Sequence, residues 1–303
     1  MTTIRLAVPR KGRPLEAVLD RIATRADAAD LADDIASTLR YEKAVAKGTA
    51  SPDADVYERL ADYSDPGDPY APEYTLLRDA RNGMPRRIVF DSIRLALGDF
   101  ELLLVGREEP FRALRKHEFA LGFDSADLVL EEVVTLSPEP LSSLAELNDR
   151  IDPRDTDVRV AGGLGDRVYH TLLSRPDVAE EPTRSFVADY EGPLCIAPRY
   201  ERLVEAVLGT DATEGIEFRY PNEVTVEADE PNGDEEEAAI ATVGLGVYLT
   251  VTGATARDHG LRVGEKLFPS ETVLLENPAE GSTDDERLAD ELVDELAAPP
   301  GVQ

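Results

Sequence analysis

Apolar positions along the chain change spacing in a way that separates strands from helices. Residues 4–8 (Ile-Arg-Leu-Ala-Val) form a short apolar run ended by Pro9. After Gly12 the apolar residues recur at Leu15, Val18, Leu19 and Ile22, the spacing of one helix face. Strand, basic turn and amphipathic helix open an α/β unit. Residues 49–72 break the pattern with Pro52, Pro66, Gly67, Pro69 and Pro72 among Asp and Ser, which predicts an inserted surface loop. Strands are predicted at 87–90, 100–105 and 119–123, with a helix opened by Pro110 and running through Leu114. A helix through Leu128, Val129 and Leu130 follows, and then a crossover at 137–147 in which Ser142 or Ser143 caps a short helix.

A second block repeats the alternation. It predicts a strand at 158–161, a turn at Gly162, Gly163 and Gly165, and a helix over 168–173. Strands at 186–188 and 194–197 and a helix over 200–208 come next. The acidic stretch 229–237, with Pro231-Asn232-Gly233, reads as a loop or hairpin tip. A strand at 246–250, another within 267–275, and a helix over 283–296 capped by Thr283 or Asp284 close the pattern. Alternating strands and helices predict an α/β fold of two lobes with mixed or parallel sheets. The expected division is 1–136 with 264–303 as one lobe and 137–263 as the other, with insertions at 49–86 and 209–240.

Charge narrows the function. Lys plus Arg total 32 and Asp plus Glu total 62, a net charge of −30. Such a surface repels phosphate backbones and anionic lipid, so neither nucleic acid nor membrane is an expected partner. Only 5 cations are lysines, which together with the acid excess points to a salt-loaded cytosol where self-repulsion is screened. Cys195 is the single cysteine, which leaves no internal disulfide, and it reads as a core residue. His117, His170 and His259 lie far apart, without ligand spacing for zinc. The amino terminus lacks the order of a signal peptide, and a cytoplasmic location is expected.

Three segments carry candidate chemistry. In 9–13, Arg10, Lys11 and Arg13 flank Gly12 between a strand and a helix, a suitable place to neutralise a phosphate. In 250–255, Thr252-Gly253-Ala254-Thr255 offers two hydroxyls and unhindered backbone N–H groups for a phosphate. In 120–127, Asp124 and Asp127 end a strand where carboxylates accept hydrogen bonds from a base or ribose, or cap a helix.

The order of these pieces resembles the catalytic part of ATP phosphoribosyltransferase, the family that opens histidine biosynthesis. The matching pieces are Lys11-Gly12-Arg13-Pro14-Leu15, Glu108-Glu109-Pro110, the segment 119–127 followed by Glu131-Glu132, and Ala197-Pro198-Arg199. The phosphoribosyl pyrophosphate (PRPP) loop is matched by 252–261, Thr-Gly-Ala-Thr-Ala-Arg-Asp-His-Gly-Leu, followed by Glu265, Ser270, Leu274-Leu275 and Asn277-Pro278. The resemblance implies a two-lobed fold similar to type II periplasmic binding proteins, with PRPP and ATP or another nucleotide bound in the cleft. It implies transfer of the phosphoribosyl group to N1 of ATP, with Mg²⁺ assisting and pyrophosphate leaving. Lys11 and Arg13 would serve the pyrophosphate or the ATP phosphates. Thr252, Gly253, Ala254 and Thr255 would hold the 5′-phosphate, Arg199 would bind substrate, and Asp124 and Asp127 would lie near the adenine nucleotide.

The sequence departs from the family in specific places. The family carries acidic residues just before its T-G-x-T turn, and residues 243–249 contain none. Glu205, in the helix after Arg199, is the candidate replacement. The turn after Gly122 lacks a second glycine, and no regulatory domain follows, as in short members that need a partner subunit. A homo-oligomer or a regulatory subunit is therefore expected. The competing expectation is a catalytically degenerate nucleotide- or phosphate-binding regulator on the same fold.

Overall fold

The structure, a computed structural model, describes residues 2–78, 86–225 and 236–296, with side chains through Val293. It divides into two units, Met1–Asp124 with Asp157–Asp166 and Thr272–Gln303, and Ser125–Thr156 with Arg167–Glu271. The changeovers thus fall at 124/125, 156/157, 166/167 and 271/272, whereas the sequence pattern placed them at 136/137 and 263/264.

The chain begins with β1 (Thr2–Pro9), α1 (Arg13–Arg25), α2 (Ala29–Ala46), α3 (Val56–Asp62), β2 (Glu73–Leu77), β3 (Arg87–Leu97), β4 (Phe100–Arg107), α4 (Pro110–Arg115) and β5 (Leu121–Ser125). After α5 (Ala126–Glu132) and two 3-10 turns come β6 (Arg159–Gly163), β7 (Val168–Ser174), α6 (Arg184–Ala188) and β8 (Gly192–Cys195). The remainder is α7 (Glu201–Leu208), α8 (Thr210–Thr213), β9 (Ile216–Arg219), α9 (Glu236–Val243), β10 (Leu245–Thr250), α10 (Ala254–Asp258), β11 (Arg262–Ser270), β12 (Thr272–Glu276) and α11 (Thr283–Leu296).

The first unit holds a seven-stranded sheet in the order β2-β3-β4-β1-β5-β12-β6. β1 is parallel to β4, with Leu6 opposite Leu104, and parallel to β5, with Leu6 opposite Leu121. β3 runs antiparallel to β2 and β4, and β12 antiparallel to β6, so the sheet is mixed rather than wholly parallel. Its core joins Leu6 and Val8 of β1 to Leu15, Val18, Leu19 and Ile22 of α1, the helix face visible in the sequence. Burying Ile4, Leu6 and Val8, which share one face of β1, stabilises this core by roughly 1.5–3 kcal/mol for each large side chain.

The second unit holds a five-stranded sheet in the order β11-β7-β10-β8-β9. β7 pairs antiparallel with both β10 and β11, while β8 is parallel to β10 and β9. Leu173, Cys195, Ala239, Ile240, Ala256 and Leu261 form a small buried cluster in this unit.

Several local expectations change. Residues 168–173 form strand β7, not a helix. A strand buried on both faces has no period-2 alternation, so its apolar run imitates a helix segment. Residues 186–188 belong to helix α6, not a strand: Thr183 caps it, its hydroxyl accepting the Phe186 N–H at 3.2 Å. The segment within 267–275 is two strands, β11 and β12, separated at Glu271. The loop expected over 49–72 contains α3, closed by a capping box between Asp55 and Glu58. That helix is fastened to α2, because Glu42 accepts Arg59 Nε at 2.8 Å, Arg59 Nη2 at 2.9 Å and the Tyr63 hydroxyl at 3.0 Å. Ser143 is the N-cap residue of the predicted short turn, yet its hydroxyl donates to the Glu146 carboxylate at 2.8 Å rather than accepting a backbone N–H. Most of the acidic stretch 229–237 lies outside the described residues; Glu236 and Glu237 begin α9.

Candidate functional site

In the first unit, the basic turn leaves the carboxyl end of β1, between the ends of its parallel neighbours β4 and β5. Ligands of α/β sheets gather at such ends. Gly12 turns the chain there with φ +83° and ψ −176°, a conformation essentially reserved for glycine, and Pro14 sits in the first turn of α1. Each cation of the turn meets a carboxylate. Arg10 Nη2 donates to Asp91 Oδ1 at 3.3 Å, and its Nε to the Gly106 carbonyl at 3.1 Å. Lys11 Nζ donates to Glu108 Oε2 at 3.0 Å. Arg13 Nη1 donates to Asp166 Oδ2 at 2.7 Å and also to the Asp166 carbonyl. Asp166 in turn accepts the Thr272 N–H and hydroxyl, each at 2.8 Å. Arg13 therefore supports the approach of β12, whereas Lys11 lies in an exposed pair that a phosphate can exchange into.

In the second unit, β10 delivers the turn 252–255. Val251, at its tip, is 78% exposed. Gly253 adopts the left-handed conformation with φ +68°, and a Cβ there would meet Val263 Cγ2 at 2.7 Å. Thr252 organises the turn: its hydroxyl accepts the Ala254 N–H at 3.3 Å and its carbonyl accepts Arg257 Nη2 at 2.7 Å. Among the described residues the Thr255 hydroxyl has no hydrogen-bond partner. Just before the turn, the hydroxyls of Thr250 and Thr171 meet at 2.7 Å and tie β10 to β7. β8 is the parallel neighbour of β10, with Cys195 opposite Gly246, and Arg199 follows the end of β8. The threonine turn and Arg199 thus leave the carboxyl ends of adjacent parallel strands. Cys195 is buried beneath them, and burial pushes its thiol up to about 12, which makes it a core residue rather than a nucleophile.

The two candidate aspartates are buried and serve the frame. Asp124 accepts the Phe111 N–H at 2.9 Å and so satisfies the start of α4. Asp127 pairs with His170 Nε2 at 3.1 Å and accepts the Ser270 hydroxyl at 3.0 Å. Ser125 is the N-cap of α5, its hydroxyl accepting the Asp127 N–H at 3.3 Å. Glu205 lies on α7, beyond the first turn after Arg199. Burial, followed by neighbouring Glu201, pushes its carboxyl above the ordinary range, and Arg202 opposes the shift.

Sequence spacing did not reveal three further groups. His170, on β7, is fully buried and packs its edge on Tyr200, with ring centroids 4.9 Å apart and planes at 79°. Tyr200 is the partner of Arg199, and burial, reinforced by Asp127 and opposed by Arg199, pushes its phenol up to about 12. Tyr248, on β10, has its phenol held well above the ordinary value by burial and then by Glu236 and Glu237 at the start of α9. Glu236 and Glu237 thus lie beside Tyr248 of β10, α9 being the element just before that strand. Spacing carried no advance signal of these contacts.

The resemblance implies Mg²⁺. The resemblance aside, among the described residues no group of three or more His, Cys, Asp or Glu side chains could hold a metal ion. Mg²⁺ in general keeps several waters and is often bound through one or two carboxylates together with substrate phosphates.

Two α/β units, each with a polar turn at the carboxyl end of a strand that has a parallel neighbour, place the chain in the class of two-lobed α/β proteins. A profile of the family described as halobacterial ATP phosphoribosyltransferase matches residues 1–298. The chain belongs to that family, and so to the phosphoribosyltransferase-like proteins of histidine biosynthesis. No curated protein shows significant similarity. Among solved structures the chain is similar to the ATP phosphoribosyl transferase (HisG:HisZ) complex from Thermotoga maritima, at 15% identity and TM-score 0.39, covering 97% of this chain and 98% of that one. It is also similar to an ancestral arginine-binding protein bound to arginine, at 8% identity and TM-score 0.40, covering 98% and 92%. A third likeness, YhfZ from Shigella flexneri, has 11% identity and TM-score 0.40 over 98% and 85%. Among the described residues no helix is long and apolar enough to cross a membrane.

Proposed function

We propose that the chain transfers the phosphoribosyl group of PRPP to N1 of ATP. Adenine N1 attacks C1′ of the ribose, the C1′–oxygen bond breaks, and pyrophosphate leaves with the electron pair. The observation that carries this reading is the family match across residues 1–298 together with a threonine turn presented at the end of β10. The hydroxyls of Thr252 and Thr255 and the backbone N–H groups of Gly253 and Ala254 hold the 5′-phosphate. Arg199, at the end of the adjacent parallel strand, supplies the cation on the same side of the sheet. Lys11 exchanges Glu108 for the departing pyrophosphate, and Arg13 supports that turn while remaining on Asp166. Glu205 stands as the candidate acid of α7, and Asp124 and Asp127 act from within the frame. Such chemistry needs positioning and charge neutralisation more than covalent help. PRPP enters as its Mg²⁺ complex, in a cytoplasm of high salt, where the net charge of −30 is screened.

The competing reading is a phosphate-binding regulator without turnover. The carboxylates already seated on Lys11 and Arg13 favour it, because they reduce the charge offered to a leaving group. The test is calorimetric titration of Mg²⁺-PRPP in molar KCl, followed by ATP and detection of phosphoribosyl-ATP by mass. Product supports the transferase. Binding without product supports the regulator, and absence of binding contradicts both. Light scattering of the eluted protein, alone and with a candidate regulatory subunit, tests the expected homo-oligomer or regulatory partner.

A further inference from the structure

The most unusual group in the second unit is His170. It sits in the middle of β7, opposite Leu249 of β10 and Phe268 of β11, and none of its surface reaches solvent. A histidine retained in the core ordinarily has both ring nitrogens hydrogen-bonded. Here Nε2 meets Asp127 Oδ1 at 3.1 Å, while Nδ1 is buried without a partner among the described residues. An apolar ring of similar size would fill this place without that cost, so the imidazole is held for what it touches.

What it touches is a string of groups ending at a candidate substrate residue. Ser270 fixes one oxygen of Asp127 at 3.0 Å, and Asp127 lies in the first turn of α5, where a carboxylate is favoured. The other oxygen sets the rotation of the His170 ring. The imidazole edge then meets Tyr200, itself buried. Tyr200 holds Arg199 twice: its hydroxyl accepts Arg199 Nη2, and its ring lies 4.5 Å from the guanidinium carbon. An arginine carries much rotamer freedom, and a guanidinium ordered before the substrate arrives does not have to lose that freedom on binding.

We propose that His170 is a positioning residue that pre-orders Arg199 through Tyr200, so that the guanidinium is set for the phosphorylated substrate of the threonine-turn site. The inference rests on the reading of Arg199 as a substrate contact. It predicts that disturbing His170 weakens substrate binding only while Arg199 is present.

The test is a double-mutant cycle read by calorimetric titration of Mg²⁺-PRPP, with thermal melting of every variant. His170→Phe keeps a ring against Tyr200 and removes the bond to Asp127. Arg199→Ala should raise Kd at least about tenfold, and His170→Phe about three- to tenfold. The double variant should bind no more weakly than Arg199→Ala alone. Steady-state assays should show His170→Phe acting on KM for PRPP more than on kcat. If the two losses multiply, or His170→Phe leaves Kd unchanged, the positioning role is overturned while the site assignment stands. If Arg199→Ala leaves Kd unchanged, the assignment of Arg199 fails, and this inference with it. Should His170→Phe fail to fold, His170→Gln, which can keep a bond to Asp127 but loses the ring edge against Tyr200, must give the same non-multiplying cycle with Arg199→Ala.

Discussion

The basic turn after β1 and the threonine turn after β10 occupy equivalent places, each at the carboxyl end of a strand with a parallel neighbour, yet their polar groups are in opposite states. Arg10, Lys11 and Arg13 are each seated on a carboxylate: Asp91, Glu108 and Asp166. Thr252 bonds only within its own turn, and the Thr255 hydroxyl has no partner among the described residues. The difference teaches that in a chain of net charge −30 a cluster of cations is neutralised by local acids before any ligand arrives. A phosphate must displace a carboxylate from Lys11, while at the threonine turn it displaces water alone. On the proposed reading, the neutral donors are therefore the readier anion site, and the cations act on the leaving group.

The largest expected effect lies on the neutral turn. Thr252→Ala with Thr255→Ala should weaken PRPP binding by roughly 3 kcal/mol, two charge-assisted hydrogen bonds, with little change in melting. Unchanged affinity in a titration would remove the asymmetry between the turns. Next come the two glycines that shape the turns. Gly12→Ala and Gly253→Ala should each cost about 1–3 kcal/mol of stability in urea unfolding. A Cβ at Gly12 would make only an ordinary contact with Pro14 Cδ at 3.8 Å and costs backbone strain alone, whereas a Cβ at Gly253 also meets Val263 at 2.7 Å. Trimming Val263→Ala should therefore rescue part of the Gly253→Ala loss and none of the Gly12→Ala loss.

Smaller effects separate the basic residues. Arg13→Met removes a half-buried partner from Asp166 and should cost about 1 kcal/mol in unfolding. Lys11→Met breaks an exposed pair and should cost under about 0.5 kcal/mol, its consequence appearing in turnover instead. Equal stability losses would mean that both pairs serve only the frame. At neutral pH the contrast vanishes for one further pair of groups, whose effect is confined to the alkaline side of the second unit. Cys195 and Tyr200 are each pushed up to about 12 by burial, so the folded chain keeps protons that the unfolded chain loses. Stability should accordingly be complete below about pH 9 and fall as pH rises toward about 12. Cys195→Ala and Tyr200→Phe should each flatten that limb in a series of melting curves, and Lys11→Met should not.

Local patterns made some of this legible. The face of α1, the strands β1, β4 and β10, and the bounds of α11 follow from apolar spacing, whereas β3 runs on past 87–90 to Leu97, and the residue that caps α11 is Ser282, whose hydroxyl accepts the Asp285 N–H at 3.3 Å, rather than Thr283 or Asp284. β7 did not, because a strand buried on both faces has no alternation to read. α2 escaped for a related reason: its buried positions Ala32, Ile35, Ala36 and Leu39 are partly alanine, which blurs the apolar stripe. α3 was hidden by its proline-rich surroundings although Asp55 and Glu58 spell a capping box. Of the candidate site, the two turns are local and their residues could be named from spacing. The partners that decide their state, Glu108 and Asp166 on one side and His170 and Tyr200 on the other, come from distant segments. No spacing rule reports a contact made through space.

The most direct test of the contrast is pyrophosphate release from PRPP and ATP in molar KCl, comparing the unaltered chain with the Thr252→Ala, Thr255→Ala variant at saturating ATP. The account predicts release that requires both substrates and falls at least about a hundredfold in kcat/KM for PRPP when the two hydroxyls are removed. No release from the unaltered chain, or release undiminished in the variant, would contradict it.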